Sequence, residues 1–172
     1  MNQLKRFFAG FLVSLCGLSL VACGKSSAGK NYHSYLPPEQ AEMGERVQVD
    51  AQTALTVQTF KIVQKTKDQD ILILSYDWEN LSEKPLVSQE AYLVTVKQKG
   101  TTLSPDLSQV EDKTKLVTQN PAGETMREIE QGYVLQDHSP VEIALSGQAK
   151  TVFDQAGKPM FSYPVKINLN LK

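Results

Sequence analysis

Asp137, His138 and Ser139 carry the residue types of a nucleophilic hydrolase, but they are consecutive. Three adjacent side chains cannot converge on one substrate atom, and with Pro140 behind them they read as a turn. The second histidine, His33, lies far upstream, so a two-histidine zinc site is not expected. Glu128 and Glu130 sit two apart and share one face of an extended segment, and with Glu124 they form an acidic stripe. Paired carboxylates run glycoside hydrolysis when a concave setting raises one pKa. Residues 124–131 read as too polar to build that setting, so a solvated strand face is expected. Asp68 with Asp70, and Glu111 with Asp112, lack the dense oxygen spacing of a calcium loop. Asn80-Leu81-Ser82 has the form of a glycosylation acceptor, yet it reads as a turn whose Asn takes φ > 0 or bonds its own backbone. Lys61, Lys65, Lys67, Lys97 and Lys99 fall at strand ends and hairpin tips, where positive charge blunts sheet edges or meets anionic polymer or lipid. No glycine-rich phosphate loop, nucleophile elbow or basic-aromatic stripe is present. The expectation is no catalytic residue, no metal, no cofactor and no nucleic-acid partner.

The elements that must position these residues follow from a period of two. Phe161, Tyr163, Val165, Ile167, Leu169 and Leu171 share one face of a strand, with Pro164 marking an edge or a bulge. ILILSYDW, from Ile71 to Trp78, begins apolar on both faces and then alternates, which predicts a central strand. Tyr92, Val94 and Val96 alternate in the next strand, Lys99-Gly100 supplies a hairpin turn, and residues 101–104 return. Leu55, Val57 and Thr59 open a strand that passes a bulge into Ile62 and Val63. Further strands are expected at 46–50, 132–136 and 141–145, with turn clusters at 66–69, 80–85 and 154–157. Residues 105–123 are a long polar loop with a short helical turn at 105–111. Seven or eight antiparallel strands in residues 45–172 predict an all-β fold, an immunoglobulin-like antiparallel β-sandwich.

Over the whole 172 residues, 41% hydrophobic and 22% charged content excludes collagen-like, wholly disordered and disulfide-dense classes. The net charge of −1 provides no basic field for nucleic acid. Lys5 and Arg6 precede an uncharged apolar run from Phe7 to Ala22, the layout of a secretory signal peptide. At about 1.5 Å per residue that run covers about 24 Å, short of the roughly 30 Å of a bilayer core. Leu20-Val21-Ala22-Cys23 resembles the lipobox of bacterial lipoproteins. The resemblance implies cleavage after Ala22, acylation of Cys23 (palmitate or a related chain) and anchorage at the extracytoplasmic face of the cell membrane. Cleavage there would remove Lys5 and Arg6 and move the net charge from −1 to −3. It would also remove Cys16, leaving no thiol for a disulfide, a habit closer to Gram-positive surface proteins than to periplasmic ones. Residues 23–44 read as a lipidated Cys and flexible linker, with Tyr32, His33 and Tyr35 as an aromatic island.

Taken in order, LTVQTFKIV, ILILSYDWEN, the turn from Asn80 to Pro85, Pro121-Ala122-Gly123-Glu124, GYVLQD and SPVEIAL resemble an immunoglobulin-like domain of unknown function in Gram-positive lipoproteins. That family is similar in fold to a small secreted mycobacterial immunogen. The resemblance implies an aromatic packed inside at Trp78 and carries no catalytic residue. The function expected is a membrane-anchored binding or interaction module, not an enzyme. Its partners would be the membrane through Cys23 together with an envelope or host protein, a peptide or a wall polymer. The alternative is an envelope hydrolase using Glu124, Glu128 and Glu130.

Overall fold

Side chains that alternate between water and an apolar interior need a second sheet to bury against, and this chain folds back to supply one. The computed structural model describes residues 39–149, 152–153, 159–160 and 164–171. The expected signal peptide (residues 1–22), Cys23, the aromatic island, the turn at 154–157 and Phe161 to Tyr163 lie outside the described residues. In chain order the elements are β1 Arg46–Gln48, β2 Thr53–Thr66, β3 Gln69–Asn80, β4 Leu86–Val87, α1 Ser88–Ala91, β5 Tyr92–Gln98 and β6 Thr101–Thr102. They continue with β7 Gln119–Asn120, β8 Thr125–Val134, β9 Val141–Gly147, β10 Val152–Phe153, β11 Pro159–Met160 and β12 Val165–Leu169.

One four-stranded sheet has the order β1-β2-β3-β8 and the other β12-β9-β5-β6, with every strand pair antiparallel. The inner faces meet in one core that joins Leu55, Val57, Leu72, Leu74, Tyr76, Trp78 and Ile129 to Val94, Val96, Ile143, Leu145, Val165 and Ile167. This is the expected all-β sandwich, with β3 central and β12 at an edge just after Pro164; the bulge expected in β2 lies between Val57 and Thr59 and not between Thr59 and Ile62. Lys99 (φ 51°) and Gly100 (φ 80°) are both left-handed, the two-residue hairpin turn whose twist matches its strands.

Both open sides of the sandwich are bridged. On one, Gln40 pairs in parallel with Lys166, the Ala41 N–H donates to the Lys166 carbonyl at 2.9 Å, and the Gly44 N–H donates to the Val57 carbonyl at 2.8 Å. Residues 39–44, linker by composition, are thus hydrogen-bonded to both sheets. On the other side the chain leaves β6 and pairs with β8, with Val134 N–H to the Ser104 carbonyl at 3.0 Å and Asp106 N–H to the Gly132 carbonyl at 2.8 Å. Gly132 permits this approach: a Cβ there would stand 2.1 Å from the Asp106 oxygen and 3.2 Å from Ile71 Cγ2. Ile71, Ile73 and Val110 are buried, although none belongs to the inter-sheet core. The two isoleucines are on the outer face of β3, which explains why ILIL is apolar on both faces.

Three expectations are corrected. The helical turn falls at Thr114–Leu116, as one 3-10 turn, and not at 105–111. The helix α1 has no counterpart in the sequence reading, because four residues are too few to show a period. Strand β8 starts at Thr125, not Gly132, because its first half carries charge on the outer face and a bulge opposite Tyr76 and Trp78 breaks its alternation.

Candidate functional site

Asp137, His138 and Ser139 point to three different places. The Asp137 carboxylate pairs with Lys99 and accepts the Ser139 N–H at 2.8 Å, while His138 Nε2 lies 2.8 Å from Asp70 Oδ2. Ser139 Oγ is buried without a partner among the described residues. The segment is the expected turn, and buried Gln98 braces it. Gln98 Nε2 donates to the Asp137 and Ser139 carbonyls at 2.9 and 2.8 Å, and its Oε1 accepts the Gln136 N–H at 2.9 Å. Lys99 holds the Asp137 carboxyl well below the usual range, helped by Ser139.

Asn80 is likewise structural. Fully buried, it donates from Nδ2 to the carbonyls of Lys84, Asn120 and Pro121 at 2.9, 2.9 and 3.1 Å, and its Oδ1 accepts the Ser82 N–H at 3.0 Å. Of the two turn mechanisms expected for it, the bond to its own chain is the one used. An amide nitrogen engaged three times inside the fold is no glycosylation acceptor.

The loop 105–118 lies on the sandwich and borders two clefts. The first, of about 270 Å³, separates the loop from the outer face of β2, β3 and β8. Lys61 bridges it, 3.1 Å from Glu111 Oε1 and 2.9 Å from Glu130 Oε1, and the Glu111 N–H donates to Glu130 Oε2 at 3.0 Å. Lys65 meets Asp106 at 2.6 Å, and Lys115 Nζ donates to the Arg127 and Glu128 carbonyls at 3.1 Å each. Lys61 and Lys65, read as edge guards, therefore also pin the loop. Glu130 and then Glu111 raise the Lys61 pKa. Burial alone would raise the Glu130 carboxyl, but the Glu111 N–H and the Lys61 ammonium outweigh it and leave Glu130 below its ordinary value. The reading of a solvated face holds for Glu124 and Glu128, which are exposed, and is corrected for Glu130, which is mostly buried under the loop; the face is also not flat, since Glu128 sits in the bulge at φ 53°. Glu128 and Glu130 line this cleft, and Glu124 does not. Glu130, held ionised, is unsuited to be a general acid.

The second cleft, of about 330 Å³, opens between the loop, α1 and β5. Among the described residues, none that lines it is charged. Tyr92, Leu93, Val94, Pro105, Leu107 and Leu116 form its walls, and Ser88, Gln89, Gln131 and Gln148 its polar points. Ser88 Oγ donates to the Leu116 carbonyl and so clasps loop to helix. Among the described residues, the large hydrophobic side chains left exposed are Leu93 (52%) and Val117 (64%). Leu93 lines this cleft, and Val117 follows Leu116 of its wall. The sequence reading missed the cleft, though a signal existed: Leu93 is apolar at an outward position of β5, and Leu107, Leu116 and Val117 interrupt a polar loop.

Behind the cleft the tyrosines stack edge to face, with Tyr92 5.8 Å from Tyr76 and 5.2 Å from Trp78 between ring centres. Tyr133 donates its hydroxyl to the Val94 carbonyl at 2.8 Å. Burial pushes the Tyr76 hydroxyl up to about 12 and raises Tyr92 and Tyr133 as well. The folded state thus favours the neutral phenols. That stability is present below pH about 10, where unfolded tyrosine titrates, and is lost as pH rises toward about 12. Tyrosinate absorbance followed against near-UV circular dichroism checks this. Late ionisation coinciding with loss of tertiary signal is expected, whereas a smooth titration of every tyrosine near pH 10 in a folded protein would contradict it.

The fold defines an antiparallel β-sandwich domain with two clefts bordered by one loop. Residues 34–147 match the family model for Domain of unknown function (DUF5067), and the chain belongs to that family. No match is found among curated proteins. Among solved structures it is similar to a protein of Staphylococcus aureus provisionally named a lipoprotein, at 11% identity and TM-score 0.52, covering 76% of this chain and 91% of that one. It is also similar to a β-sandwich protein of Clostridium difficile, at 12% identity and TM-score 0.48, over 76% of this chain and 95% of that one. A provisionally named lipoprotein of Bacillus subtilis matches at 14% identity and TM-score 0.49 over 76% of this chain, which spans 39% of that protein's length.

Proposed function

We propose that the chain is a lipoprotein of a Gram-positive-type envelope, anchored to the extracytoplasmic face of the cell membrane through acylated Cys23. It would carry its sandwich as a binding module for an envelope or host protein or a wall polymer. The observation that carries the binding reading is the uncharged cleft beside a loop pinned by Lys61, Lys65 and Lys115. Such a surface is formed before any ligand arrives, so little ordering is lost on binding. The lipobox-like residues 20–23 support the anchor, as does the name of the Staphylococcus aureus relative in fold. Among the described residues no helix is long and apolar enough to cross a membrane. The likeness to the small mycobacterial immunogen belongs to this proposal too. A non-enzymatic role is favoured over the hydrolase reading because Glu130 is ion-paired and Glu124 lies outside the charged cleft.

Two or three acyl chains, at about 0.8 kcal/mol per buried methylene, hold a protein on a membrane nearly permanently. Cys23→Ala is therefore expected to move the protein from the membrane fraction to the medium or to an uncleaved precursor. Fractionation and immunoblotting read the outcome, and an unchanged membrane-bound mature form would refute the anchor. The module itself is tested by photo-crosslinking from Val117 in cells, with a reproducible adduct absent when the crosslinker sits at Glu83, outside the cleft lining.

A further inference from the structure

Resting on the binding reading above, we infer that the uncharged cleft takes a short extended peptide segment, seating one neutral aliphatic side chain. Three independent features point this way. Its ten described lining residues include no charge in a chain that is 22% charged, so a charged group entering it would lose its hydration without gaining a counterion from them. Two of its polar points are amides with one end unpartnered among the described residues. Gln131 Oε1 accepts the Tyr76 hydroxyl at 3.3 Å, leaving its N–H groups for a ligand. Gln148 Nε2 donates to the Gln89 and Tyr92 carbonyls at 3.0 Å each, leaving its Oε1. One donor and one acceptor match the two groups of a peptide bond. Finally, β5 pairs with β6 only at Lys97 and Gln98, so its first half, which includes the cleft residues Tyr92, Leu93 and Val94, has no β6 partner along that edge.

The same features disfavour the other neutral ligands. A sugar stacks on an exposed aromatic face, and the one aromatic among the described lining residues, Tyr92, is 5% exposed and packed edge-on. An acyl chain would leave the Gln131 and Gln148 amides without partners.

A displayed library of short random peptides, selected on the full chain held in a phospholipid nanodisc, tests this, with a neutral glycan array run in parallel. Enriched peptides with a shared uncharged aliphatic position are expected, and Leu93→Asp should weaken them at least about tenfold by placing a carboxylate at the rim. Val117→Asp serves as the second rim variant, and both positions are exposed enough to keep the fold. Glu83→Gln, on the turn after β3 and outside the cleft lining, should leave binding unchanged. A charged consensus, indifference to both rim variants, or binding of glycans in place of peptides would overturn the peptide class while the module reading stood. If the full chain retained neither peptides nor glycans, both would fall.

Discussion

Replacing Asn80 with Ala is expected to cost about 3 kcal/mol or more and to lower the melting temperature by roughly 10 °C. The size follows from what one side chain does. Its amide bonds three carbonyls, from residues 84, 120 and 121, and its oxygen accepts both the N–H and the hydroxyl of Ser82. Asn80 N–H donates to the Glu124 carbonyl, and its carbonyl accepts the Gly123 N–H, so the junction of β3 with β7 and β8 closes around it. Neighbouring Asn120 donates to the Trp78 and Glu124 carbonyls, so the loss spreads. Truncation leaves buried carbonyls without donors, and water cannot reach a residue with no exposed surface. Asn80→Asp should be at least as damaging, since it turns a carboxylate oxygen toward three carbonyls. Ser82→Ala should cost only about 1 kcal/mol. Chemical denaturation of the three variants checks the order, and Asn80→Ala within a few tenths of wild type would refute the hub.

Trp78→Ala should cost about 3–5 kcal/mol, the range for deleting a large buried ring. Trp78 is wholly buried on β3, between Leu55 of β2 and Met126 of β8, and meets Tyr92 of the opposite sheet. Removing it opens a void that a close-packed sandwich fills only in part. Trp78→Phe separates two contributions. It keeps a ring against Tyr92 and removes an indole N–H that has no acceptor among the described residues. Its cost should be about 1–2 kcal/mol, because no hydrogen bond goes with the lost volume. Equal costs for Phe and Ala would mean that the indole N–H is satisfied in solution.

Much of the fold was legible in the sequence because strand burial leaves a local trace. A residue on β3, β5 or β12 faces the core or water according to parity, so alternation exposes both the strand and its inner face. The turns at Asn80, Lys99-Gly100 and 137–140 were legible for the same reason, since their chemistry acts within a few residues. Strand β8 was half hidden because the charges on its outer face look like loop until the lysines that cover them are placed.

The site was less legible. Lys61 meets a glutamate 50 residues away, Gln131 meets the Tyr76 hydroxyl across the sheet, and no local pattern encodes such encounters. The sequence by itself determined the strand faces, the turns, the candidate acyl-accepting Cys23 and the lack of an assembled triad. Only the tertiary structure decided that the long loop folds onto β8, that Lys61 joins Glu130 of the outer sheet face to Glu111 of the loop, and that a cleft with no charge among its described lining residues opens beside Leu93. The physical reason is that alternation and turn propensity depend on neighbours along the chain, whereas clefts and ion pairs depend on which distant surfaces the closed sandwich brings together.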